Sequence, residues 1–243
     1  MSLTAKLLLS PVLVTQALLT RARLPRLPEA AGEREGEVGQ GPLLRLLMLG
    51  DSSAAGVGVA RQREALAGYL PAALARQAGV RVRWRLMARS GVNSAQCLAM
   101  LEQAGPIEAD IAVVVLGVND VVDQVPSRRA VAAREAIANR LRNAHGVAHV
   151  VFAPLPPVHR FPGLPQPLRW VAGADARRHD AAVAAWARTR DDVSHVPIDL
   201  PLNAGVMAED GFHPGPPVYR VCSIALAEHI AEQVWPRVRP AAS

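Results

Sequence analysis

The chain has 243 residues, and half of them are hydrophobic, so it can form one sizeable domain with a buried core and is not disordered throughout. Its formal charge of +6 comes from scattered arginines, and aromatic residues make up only 4%, which argues against a nucleic-acid groove. The two cysteines, Cys97 and Cys222, lie in apolar helical patterns without zinc-ligand spacing, so we expect buried free thiols, no metal and no cofactor.

An apolar segment begins the sequence. Residues 7 to 19 are too few and too polar for a membrane span. A signal peptide carries its positive charge in front of the apolar run, whereas the arginines here follow it, at Arg21, Arg23 and Arg26. A helix lying on a membrane surface also fits this segment. We therefore expect a cytoplasmic protein, with contact to a membrane surface left open, rather than an exported one.

A stretch rich in Pro, Gly and Glu follows, at residues 25 to 42, and its composition is typical of a linker. We therefore divide the chain into an N-terminal segment with its linker, residues 1–42, and one domain, residues 43–243.

Within that domain, predicted strands and helices alternate. Apolar runs predict five strands, at residues 43–50, 80–88, 111–117, 147–154 and 194–200. Helical spacing and end signals predict the helices between and after them, at residues 63–77, 93–105, 130–144, 180–188 and 218–235. Five successive strand–helix units predict a three-layer α/β/α fold with a five-stranded parallel sheet. In such a sheet, ligands bind beyond the carboxyl ends of the strands.

Four short motifs follow predicted strands and should therefore meet at that edge. They are Gly50-Asp51-Ser52-Ser53, Ser90-Gly91-Val92-Asn93, Gly117-Val118-Asn119-Asp120 and Asp210-Gly211-Phe212-His213. Each motif alone could be a turn or a helix cap, and we expect Asp51 and Asp120 to make such local hydrogen bonds. It is much less probable that all four motifs follow strand ends by coincidence than that any one of them does.

Together these residues permit acyl transfer. A serine nucleophile needs a base, and a histidine base needs an acceptor that fixes its tautomer. Asp210 could bind Nδ1 of His213 and leave Nε2 facing Ser52. The backbone N–H groups of Ser52 and Gly91 and the side-chain amide of Asn119 are candidate donors to an oxyanion.

In these motifs the chain resembles the SGNH hydrolases, the GDSL esterase/lipase superfamily. The Ser, Gly, Asn and His that name that family occur here in order, across residues 44 to 235. The resemblance implies a flavodoxin-like fold, Ser52 as nucleophile, Gly91 and Asn119 in the oxyanion hole, and a His213 base oriented by Asp210. Ser53 stands where the family's nickname has leucine, and no threonine follows Gly91.

The surroundings of the site are less defined by the sequence. The Pro-rich stretch at residues 153 to 170 is either a rigid solvent-facing loop or a pocket wall that uses Phe161 and Trp170. The other histidines show no metal-ligand spacing, and we expect most of them on the surface or on helix faces.

We expect a serine esterase that hydrolyses small carboxylic esters with short acyl chains through an acyl-enzyme. Two alternatives stay open: a carbohydrate O-acetylesterase with the same triad, and a ligand-binding protein of this fold without turnover.

Overall fold

A computed structural model describes residues 3–200 and 202–239, with side chains from residue 8 onward. Residues 1–2 of the predicted N-terminal region 1–42 lie outside the described residues, as do residues 201 and 240–243 of the predicted domain 43–243. The strands are β1 Glu35–Val38, β2 Leu43–Gly50, β3 Arg81–Ala88, β4 Ile111–Val115, β5 His149–Phe152 and β6 Val193–His195. The helices are α1 Leu3–Arg23, α2 Ser52–Ala55, α3 Leu66–Ala78, α4 Ser94–Glu102, α5 Val118–Val122, α6 Ser127–His145, α7 Leu168–Ala187, α8 Pro216–His229 and α9 Trp235–Val238.

The strands form one sheet in the order β1-β3-β2-β4-β5-β6. The five predicted strands pair in parallel, as expected, with β2 in the centre between β3 and β4. The register places Gly50, the last residue of β2, opposite Ala88 of β3 and Val115 of β4. Three strands therefore end at nearly the same level, and the loops that follow them start side by side.

Helices cover both faces of the sheet, which confirms the three-layer architecture. On one face, α3 packs against α8 over a cluster that includes Leu46 and Met48 of β2. On the other face, α4 and α6 pack over a cluster that includes Leu47 and Leu49. Neighbouring residues of β2 thus point into opposite cores, which is why this strand is a continuous apolar run rather than an alternating one.

The sixth strand, β1, corrects the expectation that residues 25 to 42 are only a linker. Glu35–Val38 pairs antiparallel with β3 at the edge of the sheet. Glu37 accepts a hydrogen bond from Arg83 at 3.1 Å, and a side chain at Gly36 would press on the ring of Trp84. An exposed, charged edge strand lacks the apolar run that marks a buried one, so the sequence pattern did not reveal it.

Several helix ends lie where the sequence predicts them. Asn93 caps α4 in a capping box with Gln96, and Gly79 and Gly146 end α3 and α6 in the left-handed conformation. The helix predicted at residues 180–188 differs, because α7 already begins at Leu168. Its first turn directly follows Pro167, the last proline of the preceding loop.

The N-terminal apolar segment forms α1, which contacts α7. Among the helices that the structure describes, none is both long and apolar enough to cross a membrane.

Of the remaining histidines, His149 is buried on β5, which corrects the expectation of a surface or helix-face position, whereas His179 does lie on a helix, on the buried face of α7. His149 and His229 both contact the hydroxyl of Ser194 through Nε2, at 3.1 and 2.8 Å. Burial, reinforced by the charge of Arg237, lowers the pKa of His149 to about 4 and lowers that of His229 as well.

We expect this pair to make the protein less stable in mild acid. The fold disfavours protonation of both imidazoles, whereas the unfolded chain takes up protons on them near pH 6.5, so the unfolded state binds more protons below that pH. Their contribution to the free energy of unfolding is complete above about pH 6.5 and is lost as the pH falls toward 4. Urea unfolding of the wild type and His149→Gln between pH 7 and pH 5 measures this. The variant should lose less stability than the wild type over that range; an equal loss would contradict the assignment.

Candidate active site

Ser52 is presented by the turn between β2 and α2. A side chain at Gly50 would collide with the carbonyl oxygen of Val115, so the close approach of β4 requires a glycine there. Asp51 then caps α2, because its carboxylate accepts a hydrogen bond from the Ser53 N–H at 2.9 Å. Ser52 is the first residue of α2 and lies at the carboxyl end of the central strand. The local bonding expected for Asp51 is therefore present.

Ser52, His213 and Asp210 form a continuous chain of hydrogen bonds. The Ser52 hydroxyl lies 3.0 Å from Nε2 of His213, and Nδ1 of His213 lies 2.6 Å from the Asp210 carboxylate. The other Asp210 oxygen accepts hydrogen bonds from the N–H groups of Phe212 and His213, at 2.9 Å each. The structure thus brings Ser52 together with His213, which lies 161 positions later in the sequence, and with Asp210 beside it.

The electrostatics of Asp210 favour a carboxylate. Its burial by itself raises the pKa, but the hydrogen bonds from His213 and Phe212 outweigh that effect and lower the pKa below its usual value. Asp51 behaves differently: burial raises its pKa to about 6, although the Ser53 hydrogen bond and the charge of His213 oppose this. Asp210 therefore stays ionised to a lower pH than Asp51, and it is the carboxylate that contacts the His213 ring.

The loop that carries His213 is anchored to the Pro-rich loop. Gly211 adopts a positive φ of 61°, which permits the tight turn between Asp210 and His213. Its carbonyl accepts a hydrogen bond from the Gly163 N–H at 2.9 Å. The approach of the two backbones is so close that a side chain at Gly163 would collide with the Asp210 carbonyl. The Pro-rich loop therefore helps to hold the acid–base loop in place.

Asn119 lies beside Ser52, in the wall of the same cavity. Its side-chain amide donates a hydrogen bond to the Val92 carbonyl at 2.9 Å, which ties the loop after β4 to the loop after β3. Gly91 lies in that second loop, next to Val92, with a positive φ of 81°. Gly91 itself is not part of the cavity wall in the described structure.

A cavity of about 80 Å³ adjoins Ser52, His213 and Asn119. Phe161 contributes to its wall, so the Pro-rich loop borders the pocket and does not only face solvent. Trp170 does not line it; this side chain is 49% exposed on α7, outside the pocket to which the sequence assigned it. The rest of the wall is mostly apolar and includes Leu66, Val115, Val118, Ala153, Pro154, Pro156, Leu200, Leu202, Met207, Val218 and Leu226.

A buried polar network lies behind the site and was not predicted from the sequence. The Asp120 carboxylate accepts hydrogen bonds from the hydroxyl and the N–H of Ser94, at 2.6 and 3.1 Å, and from Arg134 at 3.2 Å. Asp120 and Arg134 are each 1% exposed, and Arg134 also donates to the Leu116 carbonyl. Asp120 thus makes long-range bonds rather than the local cap expected for it. The network joins the start of α4, which follows the Gly91 loop, to the start of α5, which contains Asn119.

Within residues 3–200 and 202–239, no three His, Cys, Asp or Glu side chains are arranged to hold a metal ion. Cys97 is buried and free, and Cys222, also free, is half-buried.

Known proteins resemble this chain in sequence and in fold. The sequence profile of the GDSL-like lipase/acylhydrolase family matches residues 48–221. A GDSL-like esterase of Mycobacterium tuberculosis is 28% identical over 251 residues, which span 92% of this chain and 78% of the relative. Among solved structures, the family 3 carbohydrate esterase of Clostridium thermocellum superposes with a TM-score of 0.59 at 14% identity, over 81% of this chain and all of the other. The esterase EstA of a Pseudoalteromonas species, inhibited by monoethylphosphonate, gives 0.57 at 18% identity, over 76% and 96%.

Proposed function

The chain belongs to the GDSL-like lipase/acylhydrolase family and is an ester hydrolase, and from this premise we propose that Ser52, His213 and Asp210 are its catalytic triad. The observation that carries the proposal is the unbroken hydrogen-bond chain from the Ser52 hydroxyl through His213 to Asp210. Such a chain supplies what acyl transfer needs, namely a nucleophile, a base within reach of its proton and an acceptor that orients the base.

The first half-reaction forms an acyl-enzyme. Ser52 Oγ attacks the ester carbonyl carbon while Nε2 of His213 removes its proton, and the Asp210 carboxylate stabilises the resulting imidazolium. The carbonyl oxygen becomes an oxyanion in the tetrahedral intermediate. His213 then protonates the leaving alcohol as the carbon–oxygen bond breaks, and the acyl group stays on Ser52.

Three donors are proposed for the oxyanion: the N–H groups of Ser52 and Gly91 and the side-chain amide of Asn119. The position of Asn119 in the cavity wall supports its role, and the N-terminus of α2 adds a favourable dipole at Ser52. Gly91 is assigned from its motif and from its place in the loop that Asn119 ties down.

The second half-reaction hydrolyses the acyl-enzyme and regenerates the free enzyme. A water molecule attacks the acyl carbon, Nε2 of His213 takes its proton, and the same donors hold the second oxyanion. His213 gives the proton to Ser52 Oγ as the acid is released.

We propose small esters with short acyl chains as substrates. The cavity of about 80 Å³ beside Ser52, whose wall is mostly apolar, supports an acyl group of a few carbons. Carbohydrate O-acetyl esters are the second candidate, since acetyl is such an acyl group and a structural neighbour is a carbohydrate esterase. The complete hydrogen-bond chain argues against a purely binding role.

Three measurements test this proposal together. Hydrolysis of p-nitrophenyl esters from acetate to decanoate should be fastest for the shortest chains, and release of acetate from acetylated xylo-oligosaccharides tests the carbohydrate alternative. Incubation with diethyl p-nitrophenyl phosphate should add one diethylphosphoryl group, located by peptide mass spectrometry on Ser52. A label on any other residue, or an optimum at long chains, would contradict the corresponding part of the proposal.

Asn119→Ala is expected to lower kcat about 10²- to 10³-fold, the usual cost of removing one oxyanion donor. The substitution also removes the bond to Val92, so a control must separate catalysis from loop anchoring. Asp123→Ala is that control. It removes a second hydrogen bond between the loop after β3 and the α5 segment, the one that the Asn93 side chain donates to the Asp123 carboxylate at 2.8 Å. If kcat falls equally in both variants, Asn119 acts only as an anchor.

A further inference from the structure

Helix α1 exposes a wide apolar face. Leu8 is 79% exposed, Leu18 64% and Val14 57%, values that are unusual for large aliphatic side chains. Val12 and Leu19 add to the same side of the helix, so five large apolar residues occupy about half of its circumference at 100° per residue. We call these five residues the α1 face. A contiguous exposed face of this kind marks an interaction site rather than scattered surface residues.

A polar side chain that lies among the residues of the α1 face, that of Thr15, already has a hydrogen-bond partner. Thr15 donates its hydroxyl hydrogen bond to the Pro11 carbonyl one turn earlier, at 2.8 Å. The face can therefore enter an apolar environment without losing a hydrogen bond to water from this side chain.

The orientation of α1 on the domain is fixed by Gln16, on the opposite side of the helix. Its side-chain amide donates to the Gln166 carbonyl at 2.7 Å, and its side-chain oxygen accepts from the Leu168 N–H at 3.0 Å. These two bonds hold the helix against the end of the Pro-rich loop and the first turn of α7. The α1 face consequently points away from the domain. Trp170, half-exposed, lies in that same first turn.

Positive charge borders the α1 face at its C-terminal end. Arg21 and Arg23 in the last turn of α1, and Arg26 just beyond it, are exposed, and no acidic side chain lies between residues 8 and 28. We propose that the α1 face and these three arginines form a docking surface for a membrane that contains anionic lipid. The aliphatic side chains enter the acyl boundary, the arginines bind lipid phosphates, and Trp170 lies at the depth of the headgroups.

The size of the surface favours a membrane over a second copy of the chain. The α1 face runs from Leu8 to Leu19, which is about 18 Å of a helix about 10 Å wide, so it presents roughly 180 Å². A stable protein interface takes about 800 Å² from each partner. A membrane has no such minimum, because lipids adapt to the shape of the helix.

Sedimentation of the full-length protein with vesicles tests the proposal. Vesicles of phosphatidylcholine with about 30% phosphatidylglycerol should bind the protein at least about tenfold more tightly than pure phosphatidylcholine, and added salt should weaken the binding. The double variant Val14→Glu, Leu18→Glu should lose at least about tenfold in affinity. The matched control is Val221→Glu, which alters a 42% exposed apolar residue on α8 and should bind like the wild type.

Hydrolysis of p-nitrophenyl acetate without vesicles should be unchanged in the double variant, which keeps this test independent of the catalytic proposal. Failure to bind either vesicle, equal binding to both, or equal loss in Val221→Glu would overturn the membrane surface. So would a dimer in analytical ultracentrifugation that the double variant abolishes, since the α1 face would then belong to a protein interface.

Discussion

Ser52→Ala is expected to reduce kcat/KM for p-nitrophenyl acetate by at least about 10⁴-fold, while the fold is retained. The variant removes the atom that forms the acyl-enzyme, so His213 has no hydroxyl to deprotonate and only the oxyanion donors remain to assist direct attack by water. The lost contact is the 3.0 Å hydrogen bond between Ser52 and His213. Initial rates at several substrate concentrations, together with thermal unfolding, measure both effects.

Ser53→Ala is the matched control, because it deletes the neighbouring hydroxyl in the same short helix. The hydrogen bond that caps α2 uses the backbone N–H of Ser53, which alanine keeps, so the turn should stay intact. We expect activity within about threefold of the wild type, since Ser53 borders the cavity but its hydroxyl takes no part in the hydrogen-bond chain from Ser52 to Asp210. Comparable losses in both variants would mean that the turn, and not the Ser52 hydroxyl, is what the substitutions disturb.

The site was largely predictable because its residues follow strand ends. Ser52 follows the largely apolar strand β2, and parallel strands present their carboxyl ends at one edge, so a serine, an asparagine and a histidine after different strands were expected to come close. The spacing of Asp210 and His213 suits a hydrogen bond within one tight turn, and the structure contains that bond at 2.6 Å. The catalytic roles of these residues remain proposals that the variants above test.

The misassigned residues share a physical cause, since their environment depends on distant parts of the chain. Trp170 follows the Pro-rich loop in sequence, but it lies on the first turn of α7, on the outer surface of the fold. Arg134 received no role from the sequence. Its spacing contained a signal, because it lies four residues after Ala130 and four before Ala138, both buried. An arginine on the buried stripe of an amphipathic helix predicts a buried ion pair, although the partner Asp120 becomes evident only from the fold.

Arg134→Met is expected to lower the free energy of unfolding by about 3–5 kcal/mol, the usual cost of removing one member of a buried ion pair. Arg134 and Asp120 are both 1% exposed, so the remaining carboxylate would have no access to water. The charge of Arg134 also opposes the rise in the pKa of Asp51, which would therefore go above about 6 in the variant. Two buried carboxyl groups would then lack their cation. Urea unfolding at pH 7 measures the free energy of unfolding. The fraction of enzyme that stays active shows whether Asn119 keeps its position.

The double variant Asp120→Asn, Arg134→Met distinguishes an ion pair from simple packing. Asp120→Asn alone keeps the shape and one acceptor for Ser94, but it leaves the guanidinium buried without its carboxylate. When both charges are removed, neither is left uncompensated, so the double variant should be more stable than the sum of the single losses predicts, by about 1–3 kcal/mol. Additive losses would show that the two side chains contribute independently. A coupled loss of stability with a parallel loss of kcat would place the pair, through Ser94 and the start of α5, among the positioning residues of the oxyanion hole.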